Sequence, residues 1–410
     1  MMAYIRELMH MSKGVRRFIA SESLLGIGIG VYILVFNLHL LEIGLNEDDI
    51  GKITSLGTLV IGILSIPSGL MASRLGRKKL LVTGLLLMGL GYGGIGLGTT
   101  LAVFYIFQVI ISIGITLLIT SEIQLLFYYS RSKKEETQAF SMLFAVFTLF
   151  TGVGTLLGGY LPGLIGGKST IYQSSILIVA VLVSGSGLIR LFLLPKEDQT
   201  EQKDNKFDFS KFKKQVTNKS IWLFSFFIFL FGASFAVVIP FLNIIVKFRL
   251  GWSVDYISLI LTLNGLLSFF GSIIMPRILE RWSIGKTYLI VYLTNILLSF
   301  ILFFTIPVPV FALLLLIRGG SFTLLNNLIE SQTMQAVEED NRNLYAGMKS
   351  VTRSLGASLA NLAAGIILAN KNYALPFLIS GVLLIISYFI FFTWIRPIFD
   401  KELGSSKVTV

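Results

Sequence analysis

Apolar residues in this chain do not alternate and seldom mark one face of a helix; they run on, broken by short polar segments. Runs such as Leu24–Leu41, Leu80–Leu97 and Phe377–Trp394 reach or approach the roughly 18–20 residues that a helix needs to cross a bilayer. The pattern predicts helices over 17–43, 49–72, 79–98, 101–128, 138–161 and 170–194, and again over 220–247, 253–276, 286–306, 308–334, 343–369 and 373–396. An all-α membrane protein of twelve spans follows.

One polar interruption is long. Residues 195–219, PKEDQTEQKDNKFDFSKFKKQVTNK, divide the chain near its middle, giving an N-terminal bundle over 1–194, a linker over 195–219 and a C-terminal bundle over 220–410. Within the linker Phe209, Phe212 and Val216 fall at helical spacing among Lys211, Lys213 and Lys214. That spacing suits a short helix on an anionic leaflet or a solvated linker.

The two halves repeat. A shift of 206 residues lays 139–159 on 345–365, so that Met142 meets Met348, Leu149 meets Leu355 and Gly159 meets Gly365. A shift of 207 lays Arg74 on Arg281. Nearly the same offset in two places points to a duplicated six-helix unit.

Composition sharpens this picture. The chain of 410 residues is 54% hydrophobic and 14% charged, against roughly 25% charged in a soluble domain. Cysteine is absent and histidine occurs only at His10 and His39, which excludes thiolate chemistry and disulfides and argues against a metal centre. The net charge of +12 would suggest nucleic-acid binding in a soluble protein, but here it resides in the loops. With the N-terminus inside, cytoplasmic segments hold Arg6, Lys13, Arg16 and Arg17, then Arg74, Arg77, Lys78 and Lys79, then Arg131, Lys133 and Lys134, and later Arg277, Arg281 and Lys286. The opposite side holds only Lys52, Lys168, Lys247, Arg249 and Lys371. Positive-inside counting puts both termini in the cytoplasm of a bacterial inner membrane. The first span reads as a signal anchor rather than a cleaved signal peptide.

Between the second and third spans the sequence reads Gly69-Leu-Met-Ala-Ser73-Arg74-Leu-Gly76-Arg77-Lys78-Lys79. This resembles the loop signature of the major facilitator superfamily, with a bacterial drug-efflux character. Gly69 suits close helix packing, Gly76 a tight turn, and the basic cluster an anchor at the cytoplasmic face. Ser73 stands where the family usually has aspartate, so the gating contact made there is expected to be neutral. The counterpart in the second half, 276–286, keeps Glu280 and Arg281 without the turn glycine. In the fifth span Gly152, Gly154, Gly158 and Gly159 resemble the exporters' fifth-helix motif, with Thr155 in place of its proline; such glycines also serve plain helix packing. The resemblance implies alternating access around a midplane cavity, with no cofactor, enzymatic activity or nucleotide site.

Ionisable groups at membrane depth are functional candidates by default. Arg318 lies roughly 15 Å into the tenth helix and either binds an anionic or carbonyl group of a solute or pairs structurally with a carboxylate. Glu122 in the fourth helix, Glu22 in the first and Glu330 in the tenth are the candidate proton carriers, each set against an interfacial carboxylate satisfied by water or a loop cation. Lys349 and Arg353 share a face of the eleventh helix; they face Glu330 or Glu122, or reach the headgroups, and snorkelling is the reading for Lys349. Asn37, Gln108, Asn326 and Asn327 are candidate solute contacts or interhelical bonds. His39 is read as a headgroup-level histidine, with a pH gate as the alternative. The aromatic run from Trp222 to Phe231 reads as packing or as a wall for an apolar solute, and Pro240 as a bend.

Two other patterns carry less. Gly89, Gly91 and Gly94 match a dinucleotide-binding spacing but sit inside an apolar span, and Gly167-Lys168-Ser169 resembles a phosphate loop with Pro162 at its first glycine. Helix packing and an outer turn are the readings here. The functional expectation is a proton-coupled secondary transporter exporting small amphipathic organic compounds, with the solute, protons and the bilayer as partners and no nucleic acid. Uptake or facilitated movement of an anionic metabolite is the alternative within the fold, and a non-transporting sensor the alternative outside it.

Overall fold

The computed structural model describes residues 11–197, 219–337 and 342–399. Arg277, Glu280 and Ser73 lie in helices, but their side chains are outside the described residues, as is most of the linker with Phe209, Phe212 and Val216. Among the described residues twelve helices are long and apolar enough to span a bilayer, and no strand occurs. Burying no backbone polar group unpaired is what lets helices stand in hydrocarbon. This is a multi-pass membrane protein.

The helices are α1 Lys13–Glu42, α2 Glu47–Leu75, α3 Arg77–Leu97, α4 Leu101–Tyr129, α5 Lys133–Ile165 and α6 Gln173–Leu193. After the linker come α7, α8 Val254–Arg281, α9 Ile284–Phe303, α10 Val308–Gln335, α11 Arg342–Ala369 and α12 Leu375–Ile390. The seventh span is broken. Lys219–Ala236 gives way to a 3-10 turn at Ile239–Phe241 and resumes at Leu242–Leu250, because Pro240 has no amide hydrogen for the helical ladder. We use α7 for both limbs.

The packing repeats as the sequence does. In one compact unit α1 packs on α5 and α6, and α3 on α4 and α6; in the other α7 packs on α11 and α12, and α9 on α10 and α12. Adding six to each number converts one set into the other. The units exchange one limb each, since residues 46–62 belong with the second and residues 253–262 with the first. Within the second unit Ser55 Oγ lies 2.7 Å from Ser358 Oγ of α11, and Lys371 Nζ lies 2.9 Å from Glu47 Oε1. Within the first, Thr262 Oγ1 donates to Gly152 O of α5 at 3.2 Å.

Glycine sets the closest approaches. A Cβ on Gly154 would lie 2.1 Å from Ile27 O of α1, and one on Gly30 would lie 2.1 Å from Thr151 O of α5. In the second unit a Cβ on Gly356 of α11 would lie 2.1 Å from Phe229 O of α7. Gly158 faces Val31 and Leu34 of α1, and Gly159 faces Ser258 of the exchanged limb. Gly89, Gly91 and Gly94 bring α3 against Ser184, Ile111 and Phe107. At Gly69 a Cβ would meet nothing within 4 Å among the described residues. Gly76 does make the tight turn, at φ +90°.

The aromatic run divides by face. Phe224, Phe227 and Phe231 are buried, and Trp222 and Phe226 are about half exposed on the outer side of α7. Phe231 stacks on Phe322 of α10 at 5.2 Å, and Tyr288 stacks on Phe391 at 3.9 Å. The buried rings are core, not pocket wall.

A Gly154→Ala substitution is expected to destabilise the protein by about 1–3 kcal/mol, because backbone must shift to admit the methyl group. Gly163→Ala, where a Cβ meets nothing within 4 Å, is the matched neutral change. Melting curves of the two variants in detergent check this.

Candidate functional site

In the first unit, three side chains from three helices converge. Arg190 of α6 is fully buried; its Nη2 donates to Glu22 Oε2 of α1, its Nη1 lies 3.3 Å from Glu122 Oε1 of α4, and its Nε donates to Ser21 Oγ at 3.0 Å. The Phe18 ring covers the guanidinium at 4.7 Å. Glu22 is 1% exposed. The structure thus brings together two carboxylates singled out in the sequence, but around a cation that sequence reasoning missed. Arg190 stands three residues before the end of α6, where an arginine ordinarily reaches outward to headgroups. The signal available was its neighbourhood, Gly185-Ser186-Gly187, where small residues admit a side chain turning inward. Glu122 meets this α6 arginine instead of a loop cation, and Glu22 is not water-exposed.

The second unit holds two basic sites. Arg318 is 1% exposed and donates from Nε to Ser299 Oγ at 3.0 Å and from Nη2 to Ser380 Oγ at 2.8 Å. Ser380 passes its own proton to Ser234 O of α7 at 2.8 Å, and the Phe322 and Phe377 rings lie 5.3 and 5.6 Å from the guanidinium. No carboxylate pairs with Arg318 among the described residues. Hydroxyls and ring faces replace the anion, joining α7, α9, α10 and α12.

The other basic site lies between α10 and α11. Glu330 accepts from Lys349 Nζ at one oxygen and from Arg353 Nη1 at the other, and Arg353 Nη2 donates to Asn326 Oδ1 at 2.6 Å. Lys349 therefore does not snorkel; a carboxylate within reach satisfies it more cheaply than a stretch to the headgroups. Asn327 turns the other way and donates to Ser272 Oγ of α8 at 2.9 Å.

The remaining candidates stand apart. Asn37 is buried in α1, and Gln108 Oε1 in α4 is buried with no hydrogen-bond partner among the described residues. His39 is fully buried, its Nδ1 2.6 Å from Thr170 Oγ1 and its Nε2 3.3 Å from Ile95 O. It is a buried residue held between the last turn of α3 and the turn at Thr170, close to the end of α1. The Gly167-Lys168-Ser169 turn directs the amides of Lys168 and Ser169 at Gln173 Oε1, at 2.9 and 3.1 Å.

The basic loop after α2 has its own counter-ion. Glu197, at the head of the linker, accepts from the Lys78 amide at 3.2 Å and lies 3.7 Å from Arg77 Nη1, while Lys78 Nζ donates to Leu194 O at 2.6 Å. A cavity of about 290 Å³ here is bordered by Gly76, Lys78, Lys79 and Lys196. Arg74 is exposed.

Comparison with known proteins places this geometry. A sequence profile described as Major Facilitator Superfamily matches residues 19–360 and 228–408. Multidrug resistance protein 2 of Bacillus subtilis (strain 168) is 20% identical over 378 residues, covering 90% of this chain and 92% of that protein. A bacterial homologue of the human lysosomal transporter Spinster, solved in an inward-facing and occupied conformation, superposes with a TM-score of 0.74 at 13% identity, over 93% of this chain and 96% of that one. The nucleoside transporter NupG superposes with a TM-score of 0.71 at 15% identity, over 92% and 98%. At such identities the structural matches establish the fold alone.

Removing the cation from the α1–α4–α6 cluster should be severe. Arg190→Gln leaves two carboxylates facing each other in an apolar interior, a loss of about 3–5 kcal/mol. The double variant Arg190→Gln, Glu22→Gln should recover part of it. Folded yield and melting temperature in detergent measure both.

Proposed function

This chain belongs to the major facilitator superfamily, and from that premise we propose that it is a proton-coupled transporter exporting small amphipathic organic compounds. It would work by alternating access in a bacterial inner membrane, with both termini cytoplasmic, the six-helix halves 1–194 and 220–410 joined by the linker 195–219. The observation that carries the proton coupling is the cluster of Glu22, Glu122 and Arg190. Two carboxylates share one guanidinium, so with both ionised the cluster bears one net negative charge. One bound proton makes it neutral, and a group that changes charge without leaving the bilayer interior is what coupling to a proton gradient requires. The Glu122 side chain is 18% exposed against 2% for Glu22, so Glu122 is the member that exchanges with water. Glu330 is the lesser candidate, because two cations hold its two oxygens.

Export is supported by the fifth-helix glycines Gly154, Gly158 and Gly159 and by the multidrug resistance protein to which the chain is similar. Asn37 and Gln108 are the proposed solute contacts of the first half, Gln108 through its unpartnered carbonyl oxygen. Asn326 and Asn327 are those of the second. Arg318 serves this reading as a brace that fixes α10 against α9 and α12. The loop Gly69, Ser73, Arg74, Gly76, Arg77 and Lys78 is the proposed gating element, with Glu197 supplying a carboxylate to it.

The test uses purified protein in liposomes enclosing a pH dye. Adding amphipathic solutes across an imposed proton gradient should move protons in the wild type, with Glu122→Gln and Glu22→Gln cutting that movement at least tenfold. Exchange of labelled for unlabelled solute without a gradient should survive in both variants. Undiminished proton movement in the double variant would remove the cluster from the coupling.

A further inference from the structure

Three arginine sites inside the spans, those of Arg190, Arg318 and Arg353, differ in what they leave unused among the described residues. Arg190 spends Nε, Nη1 and Nη2 on Ser21, Glu122 and Glu22 and is sealed. Arg318 is sealed as well, between two serines and two phenylalanine rings. The site on α10 and α11 is open. Side-chain exposures there are 30% for Arg353, 29% for Glu330 and 16% for Lys349.

It is also unbalanced. Two cations face one carboxylate, a net charge of +1, inside helices that span the bilayer. A guanidinium and an ammonium together offer eight N–H donors; three are engaged, two by Glu330 and one by Asn326. Five donors and one positive charge therefore have no partner among the described residues. Counted from Tyr345, where the candidate span begins, the two residues stand roughly 6 and 12 Å along it, where a cation left without a counter-ion is costly. Next to them is an apolar floor. Phe235, partly exposed, presents that surface and packs on Phe322, while the buried Phe231 ring backs the Arg353 guanidinium at 5.6 Å.

We propose that Lys349, Arg353 and Asn326 form a seat for the oxyanion group of an amphipathic molecule, a carboxylate, sulfonate or phosphate whose apolar body lies along Phe235. The anion supplies the charge that Glu330 leaves unbalanced, and a planar guanidinium edge suits two oxygens at once. Glu330 orients the two cations and weakens their hold on the anion, which keeps the seat reversible. The seat rests on the exporter reading only for the claim that the amphiphile is cargo.

The experiment measures binding to purified protein in detergent, so it needs no proton gradient and its outcome is independent of Glu22 and Glu122. The probes are 2-naphthalenesulfonate and the 2-naphthyltrimethylammonium cation, alike in size and opposite in charge, titrated by calorimetry. Saturable binding of the sulfonate and much weaker binding of the ammonium are expected. Lys349→Gln and Arg353→Gln should each weaken the sulfonate about tenfold or more, as for loss of one charged hydrogen bond. Lys286→Gln, an exposed lysine at the start of α9, should leave it unchanged.

Glu330→Gln gives the decisive sign, because removing the carboxylate should tighten the sulfonate severalfold, whereas a merely structural carboxylate would leave affinity unchanged or lower it. Unaltered or weaker binding in Glu330→Gln, or equal binding of the two probes, overturns the proposal. Displacement of the sulfonate by short-chain phosphatidylglycerol assigns the seat to a lipid phosphate, and failure to displace it assigns the seat to a soluble amphiphile; either result leaves the seat in place.

Discussion

A guanidinium inside hydrocarbon has no water to turn to, and each unit of this protein is organised around how that need is met. Arg190 draws α1, α4 and α6 together by pulling on side chains of two of them. Arg318 achieves a similar convergence of α7, α9, α10 and α12 with no formal counter-charge, through serine hydroxyls and ring faces. The two solutions have different consequences. A carboxylate partner can take up a proton and so change the charge of its site, while a serine partner cannot. The first unit therefore holds an arginine paired with carboxylates, and the second holds one braced by serines.

The duplicated architecture carries both solutions on one plan. Close backbone contact at Gly30 and Gly154 binds α1 to α5, and Gly232 and Gly356 bind α7 to α11. In lipid the association of helices rests on packing of this kind, since apolar side chains gain little by leaving one apolar medium for another. Side chains away from these seams are consequently free to diverge between the halves, and they have: Glu122 of α4 meets an arginine from α6, whereas Glu330 of α10 meets a lysine and an arginine from α11.

The helices were legible in the sequence because crossing a bilayer imposes a length and a hydropathy that no tertiary contact can override. Most expected ends fall within a few residues of those observed, and α12 closes earlier only because Phe391–Ile395 winds as a π-turn. That Glu22, Glu122 and Arg318 lie inside spans was legible for the same reason. Their partners were not. Arg190 stands near a helix end and enters the core only by bending its long side chain back, and Ser299 and Ser380 look like any small residue of a packed span. Depth follows from position along one helix, but pairing depends on the rotation of two, which hydropathy does not encode.

The exchanged limbs bear on how such a chain arose. Residues 46–62 serve the second unit and residues 253–262 the first, so each six-helix repeat lends part of its second span to its twin. In the language of oligomers this is a domain swap, with the two protomers joined end to end. An ancestor of six helices built on this plan would have had an unfilled groove along its fifth helix until a second copy filled it. Pairing would then have preceded fusion; joining the copies end to end fixed the ratio of the halves at one to one and freed each to change on its own.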